Sequence, residues 1–210
     1  WKEHFAGTDM TPTVVYCYAV GHDECNAIRF VHTYLKSPPG KKHNTVVIIN
    51  GGDATRQIEK LFSPLPKLSF FKHDDTGWDI GAYIAYAKAS GDEFQMSFGG
   101  SSFFEVGGWL SRALEAWNKY GPGFYGASST YEVSPHLSTS GFWCPSKLLA
   151  DYPVKVSTRA ERYNFEHGPD ALWKITDRAG LPVRLVTWAG EYEWNRWRAP
   201  ANIFRRGDQS

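Results

Sequence analysis

Cysteine is scarce in this 210-residue chain, long apolar runs are absent, and neither sign of charge dominates. Each shortage excludes a class of protein. Cys17, Cys25 and Cys144 form an odd set without C-x-x-C spacing. They read as reduced packing residues rather than a disulfide framework or a zinc site. No apolar run approaches the ~18 residues that a membrane span needs. A formal net charge of +1 with 21% charged residues gives no sign of a nucleic-acid or membrane-surface partner. The expected location is cytoplasmic. The chain opens on Trp1 without Met and stops at the polar RRGDQS, which suggests a piece of a longer chain with neighbouring domains.

Apolar and aromatic residues are plentiful: 42% of the chain is hydrophobic and nine residues are Trp. That suffices for one sizeable core, and a single domain over 1–210 is expected. The first half alternates. TVVYCYAV (13–20), NTVVIIN (44–50), LSFFK (68–72) and EFQMSF (93–98) read as strands, the second apolar enough to be buried on both faces. Between them lie three helices. The first starts near Asp23, a candidate N-cap, and places Ala27, Ile28, Val31, Tyr34 and Leu35 on one face. The others are TRQIEKLF and GWDIGAYIAYAKAS. Strands alternating with helices predict a parallel sheet with right-handed crossovers.

The second half is less regular. WLSRALEAWNKY (109–120) is an amphipathic helix ended by GPG, with short strands at GFYGAS and HLSTSGFWC. PDALWKITDRAG is a helix with Pro in its first turn, and PVRLVTW (182–188) is a final strand.

In an open parallel sheet, ligands gather at the carboxyl ends of the strands. Three such ends here are polar: AVGHDE (19–24), NGGD (50–53) and HDDTGWD (73–79). Gly51, Gly52 and Gly77 would let backbone approach a ligand, and Asn50 or Asp53 could bond a base edge. Two of these acids also have plain structural readings. Asp53 suits an N-cap of the following helix, and Thr76-Gly-Trp-Asp79 fits a capping box. A capping box accounts for neither Asp74 nor Asp75, so a ligand or metal role is expected for Asp75 or Asp79.

DDTGWDIGAY resembles the N/D-x-G-x-D-I-G-A/P-aromatic signature of sugar-nucleotide glycosyltransferases of the GT-A fold, nearest the rhamnan-synthesis-like and family-2-like groups. EFQMSFGGSSFF is similar to the strand and turn that carry their Asp-x-Asp metal motif, HLSTSGFWCPSKLL to an acceptor-side strand and helix, and FEHGPDALWKITDRAGLPVRLV to the block bearing a carboxylate beside the acceptor. A narrower likeness is to viral glycosyltransferase domains that decorate a capsid protein. The resemblance covers about residues 12–190. It implies a single GT-A-type α/β domain with a central, mostly parallel but mixed sheet flanked by helices. A nucleotide-binding half would span about 12–104 and an acceptor-side half about 105–200.

The implied activity is transfer of a glucose- or rhamnose-type sugar from a UDP-sugar donor to a glycan or glycoprotein acceptor. The donor would lie against Ala19, Val20, Gly21, Asn50, Asp53, Asp75, Gly77, Trp78, Asp79, Ser101 and Ser102, with Arg196 (and Arg198) near the diphosphate. Glu166 is the implied base, two residues further from Gly180 than the family-2 pattern, with Asp170 as runner-up. His136, Trp143 and Trp194, with Trp197, would face the acceptor, although core packing is the commoner fate of Trp. One departure matters. Gly99-Gly100-Ser101-Ser102 stands where the family carries Asp-x-Asp. A weakly held Mn²⁺ or Mg²⁺ is therefore assigned to Asp79, with Asp75 as the second ligand. The missing motif also motivates an alternative, a sugar- or nucleotide-binding domain without catalysis. His and Asp in GHDE and HDD motivate another, a metal-dependent phosphohydrolase.

Overall fold

The structure, a computed structural model, describes residues 10–131, 134–197 and 205–206. Its first half alternates as the apolar runs predict: β1 (Thr13–Ala19), α1 (Glu24–Lys36), β2 (Asn44–Asn50), α2 (Arg56–Phe62), β3 (Leu68–His73), α3 (Trp78–Ser90) and β4 (Gln95–Phe98). β1 pairs in parallel with β2 from Thr13↔Asn44 to Ala19↔Asn50, and β2 with β3 up to Asn50↔His73. The last residues of the three strands therefore stand side by side. β4 joins the other side of β1, with Tyr16 opposite Phe98.

Next come β5 (Ser102–Phe103), α4 (Trp109–Tyr120), β6 (Phe124–Gly126), β7 (Ser129–Thr130), β8 (His136–Leu137) and β9 (Gly141–Cys144). The chain continues through α5 (Ser146–Ala150), α6 (Arg159–His167), α7 (Leu172–Arg178), β10 (Val183–Thr187), β11 (Gly190–Tyr192), a 3-10 turn over Trp194–Arg196 and β12 (Arg205–Arg206). Eight strands form one mixed sheet in the order β11-β10-β6-β9-β4-β1-β2-β3. β9 runs antiparallel to both β4 and β6, so it stitches the second half of the chain to the first.

Strand alternation divides the core between the two faces of the sheet. Val14, Tyr16 and Tyr18 meet Phe30, Phe62 and Trp109 on one side, while Val15 and Cys17 meet Ile80, Tyr83 and Phe165 on the other.

Several local expectations need correction. α1 buries Ala27, Phe30, Val31 and Tyr34, leaving Ile28 and Leu35 about half exposed. Its stripe is rotated because Phe30 stacks on Tyr16 at 4.0 Å, an aromatic contact larger than Ile28 could make. HLSTSGFWC splits into β8 and β9 around a turn. The helix expected from Pro169 begins only at Leu172, which leaves Asp170 outside it. Glu166, expected just before a helix, lies in the last turn of α6.

Candidate functional site

The turn between β3 and α3 is built from unusual backbone. Asp75, Gly77 and Trp78 all have positive φ, at 70°, 78° and 55°. Such conformations are uncommon for non-glycine residues and cluster at ligand sites. A Cβ at Gly77 would lie 2.9 Å from the Val156 carbonyl carbon, and one at Gly81 equally close to that of Thr76. Gly77 thus serves close packing against the chain itself. The capping box does not form. Gly77 occupies the N-cap position of α3 without a side-chain bond, and Asp74 Oδ1 instead accepts from the Thr76 amide at 3.0 Å. Asp79 is left available for other work.

The aligned strand ends open on a cavity of about 390 Å³. The exit of β1 contributes Ala19, His22 and Asp23, and β2 contributes Asn50. Asp75, Trp78 and Asp79 come from the third turn, Gly100 follows β4, and Arg162 reaches in from α6. The Asn50 amide donates to Asp75 Oδ1, while its Oδ1 lies 2.7 Å from His73 Nδ1. Asp79 Oδ1 sits 3.3 Å from the Arg162 guanidinium. Burial pushes the Asp79 carboxyl above the ordinary range; Arg162 opposes that shift and the nearby charge of Glu166 adds to it.

Where the sequence lacks Asp-x-Asp, the Asp23 carboxylate stands beside the glycine pair. Gly100 stands so close to Asp23 that a Cβ there would lie 2.6 Å from the Asp23 carboxyl carbon. Asp23 does not cap α1 with its side chain. Its Oδ2 accepts from the Ala19 backbone amide at 3.3 Å, and its Oδ1 accepts from the Asn26 side-chain Nδ2 at 3.4 Å. A carboxylate from the first turn thereby enters the space beside the glycine pair. Ser101 and Ser102 brace this turn: the Ser101 carbonyl accepts from Arg29 at 3.1 Å and the Ser102 hydroxyl donates to the Ser140 carbonyl at 2.8 Å.

Glu166 is held between α6 and the β8–β9 turn, where its Oε1 accepts from the Thr139 hydroxyl. The other expected residues are distributed differently. Asp53 neither caps α2, which Thr55 does, nor lines the cavity; it is 80% exposed and paired with Lys72. Val20 packs beside Gly52, and Gly21 takes φ 80° in the turn. Asp170 is half exposed, 3.7 Å from Arg178. His136 is buried, with Nδ1 2.8 Å from the Ser134 carbonyl and its ring against His167. Trp143 is wholly buried and stacked on Tyr125, so it offers no platform; the sheet needs a large ring at that position of β9. Trp197 is likewise buried, packed edge-on against Trp173. Arg196 lies over the Tyr192 ring at 5.3 Å, beside the far edge strand β11, and Trp194 stands there with it. Arg198 falls outside the described residues. The guanidinium of the cavity is Arg162, which carries no sequence signal: in RAERYNFEH only Phe165 is buried.

Among the described residues, no group of three or more His, Cys, Asp and Glu is placed to hold a metal ion. Asp75 and Asp79 in one cavity do fit a cation that arrives with phosphate, because Mg²⁺ in nucleotide sites takes one or two carboxylates and fills its shell with phosphate oxygens and water. Charge favours the same arrangement. Asp23, Asp75 and Asp79 outnumber Arg162, so a diphosphate entering alone would meet net repulsion.

This sheet order and the position of the cavity define an α/β fold of the GT-A type. Mouse xyloside xylosyltransferase 1 shares it over 95% of this chain and 98% of that one, at 10% identity and a TM-score of 0.58. The mannosyltransferase PcManGT from Pyrobaculum calidifontis, solved with GDP-Man and Mn²⁺, matches 70% of this chain and 50% of its own, at 11% identity and a TM-score of 0.53. S. aureus TarS 1-349 in complex with UDP-GlcNAc matches 73% and 51%, at 14% identity and a TM-score of 0.53. The chain spans about a third (32%) of a longer S. aureus TarS structure. At these identities the likeness shows the fold alone. No family model and no curated protein matches the sequence. No helix among the described residues is long and apolar enough to cross a membrane.

Proposed function

We propose that this chain is a glycosyltransferase that moves a hexose, of glucose or rhamnose type, from a UDP-linked donor to a glycan or glycoprotein acceptor. The observation that carries this reading is the meeting of Asn50 from β2, Asp75 and Asp79 from the turn into α3 and its first residues, and Arg162 from α6 in one cavity at the carboxyl edge of the sheet. The neighbours solved with GDP-Man or UDP-GlcNAc support it by analogy of fold.

The roles follow from the chemistry of the leaving group. As the glycosidic bond breaks, charge builds on the diphosphate and must be neutralised. A divalent cation held by Asp79 and Asp75 would supply Lewis acidity there. Arg162, in reach of Asp79, is placed to add its charge. Asn50, fixed by Asp75 and His73, presents an oriented amide to the nucleotide. Glu166 orients the acceptor hydroxyl and takes its proton in an inverting reaction. The narrowest form of the reading makes the acceptor a viral capsid protein.

The phosphohydrolase alternative requires a metal pair, and the described residues group no three candidate ligands. A binding domain without catalysis is separated by Asp79→Ala, which stops turnover in an enzyme. The deciding experiment is a thermal-shift panel of UDP, GDP and dTDP with and without Mn²⁺, since a ligand of the folded state raises stability with the logarithm of its concentration over Kd. A shift with UDP that grows with Mn²⁺ is expected. No shift with any nucleotide overturns the reading.

A further inference from the structure

A larger cavity, of about 480 Å³, opens elsewhere. β10 runs parallel to β6, and both run with β4 and β1, so Pro182 and Val183 mark the amino-terminal edge of the sheet. The cavity lies there, at the edge opposite the one with Asp79. Its walls are rings: Tyr120 at the end of α4, Trp173 on α7 and Trp194. Trp194 is 61% exposed, and Trp173 has a buried Nε1 with no hydrogen-bond partner among the described residues. Packing fixes two of these rings, Trp173 and Tyr120. Trp197 packs edge-on against Trp173 at 5.3 Å, and the Arg184 guanidinium lies 3.9 Å over Tyr120 while bonding Glu193 at 3.1 Å. Asp177 and Glu193 supply carboxylates at the wall.

We propose that this cleft is a saccharide-binding site separate from the nucleotide pocket, and that its ligand is a stretch of neutral oligosaccharide. Flat, rigid indole faces suit the C–H faces of pyranose rings. The two carboxylates accept hydroxyl hydrogens. Charges at the wall nearly cancel, because Glu193 pairs with Arg184 and Lys174 lies 5.4 Å over the Trp173 ring while Asp177 lines the same cleft, so an uncharged ligand is favoured. Trp194, expected from the sequence to serve an acceptor, would do so here.

The test is calorimetric titration with cellohexaose, xylohexaose, maltohexaose and mannohexaose, run without nucleotide so that it stands whatever the donor pocket binds. At least one of the four binds the parent protein. Trp194→Ala weakens that binding about tenfold or more, with the melting temperature unchanged because the side chain is exposed. Asp79→Ala leaves it intact. Binding of none of the four, binding indifferent to Trp194→Ala, or loss of binding in Asp79→Ala would each overturn the proposal.

Discussion

The Asp23 carboxylate occupies the space that a side chain at position 100 would take, since a Cβ on Gly100 would lie 2.6 Å from the Asp23 carboxyl carbon. Gly100→Ala must therefore displace a flexible acid rather than backbone. The expected result is a nearly unchanged melting temperature with weaker Mn²⁺-dependent UDP binding. Asp23→Gly should weaken that binding as well, and adding Gly100→Ala to it should cost little more, because the displaced carboxylate is already gone. Thermal shift with UDP and Mn²⁺ across the two single variants and the double one checks the relationship.

Asp79→Asn should separate stability from activity. The charged carboxylate is disfavoured by burial and by Glu166 more than Arg162 relieves it, so the neutral isostere should raise the melting temperature at neutral pH. Turnover of a UDP-sugar donor should fall about 10²–10³-fold, the scale for losing one stabiliser of transition-state charge. A variant that is less stable and fully active would refute both parts.

Gly81→Ala should damage the fold directly. The new Cβ would press on the Thr76 carbonyl, where backbone on both sides must move. Overpacking of this kind costs about 1–3 kcal/mol, and the upper end is expected because neither partner is a flexible side chain. Urea denaturation would measure it.

The far side of the sheet offers a pH prediction. Glu191 bonds Arg112 at 2.6 Å and Lys119 at 2.9 Å, with Arg112 and Glu191 both about one-eighth exposed. Burial raises the Glu191 carboxyl, but the bonds from Lys119 and Arg112 outweigh it and hold the group below its ordinary value. A depressed folded value means stabilisation that is present above the unfolded pKa and lost as pH falls through the folded one. Glu191→Ala should cost about 1 kcal/mol near neutrality, because Lys119 is largely exposed and Arg112 keeps Glu115 and the Thr187 carbonyl as partners. Its stability should also decline less steeply on acidification than that of the parent, which denaturation at a series of pH values would record.

How much of this was legible in the sequence depends on burial. β2 sits between two strands and two layers of side chains, so NTVVIIN announced itself to the residue. α4 did too, with Trp109, Leu110, Ala113 and Trp117 on one face. α6 buries one side chain, so nothing periodic marked the helix that carries Arg162 and Glu166. The three polar strand ends were readable because parallel strands in register must end together. Asp23 was not, because an acid just before a helix looks like a cap whether or not it makes the bond. Trp143 and Trp194 were indistinguishable as letters, and only sheet position puts one in the core and the other in an open cleft.

The direction of β1 sets a length scale. Its seven residues extend for about 23 Å at ~3.3 Å each, from the margin that holds Trp194 toward the one that holds Glu166. Under the two proposals above, a saccharide touching both the Trp194 cleft and Glu166 must cross at least that strand length of surface.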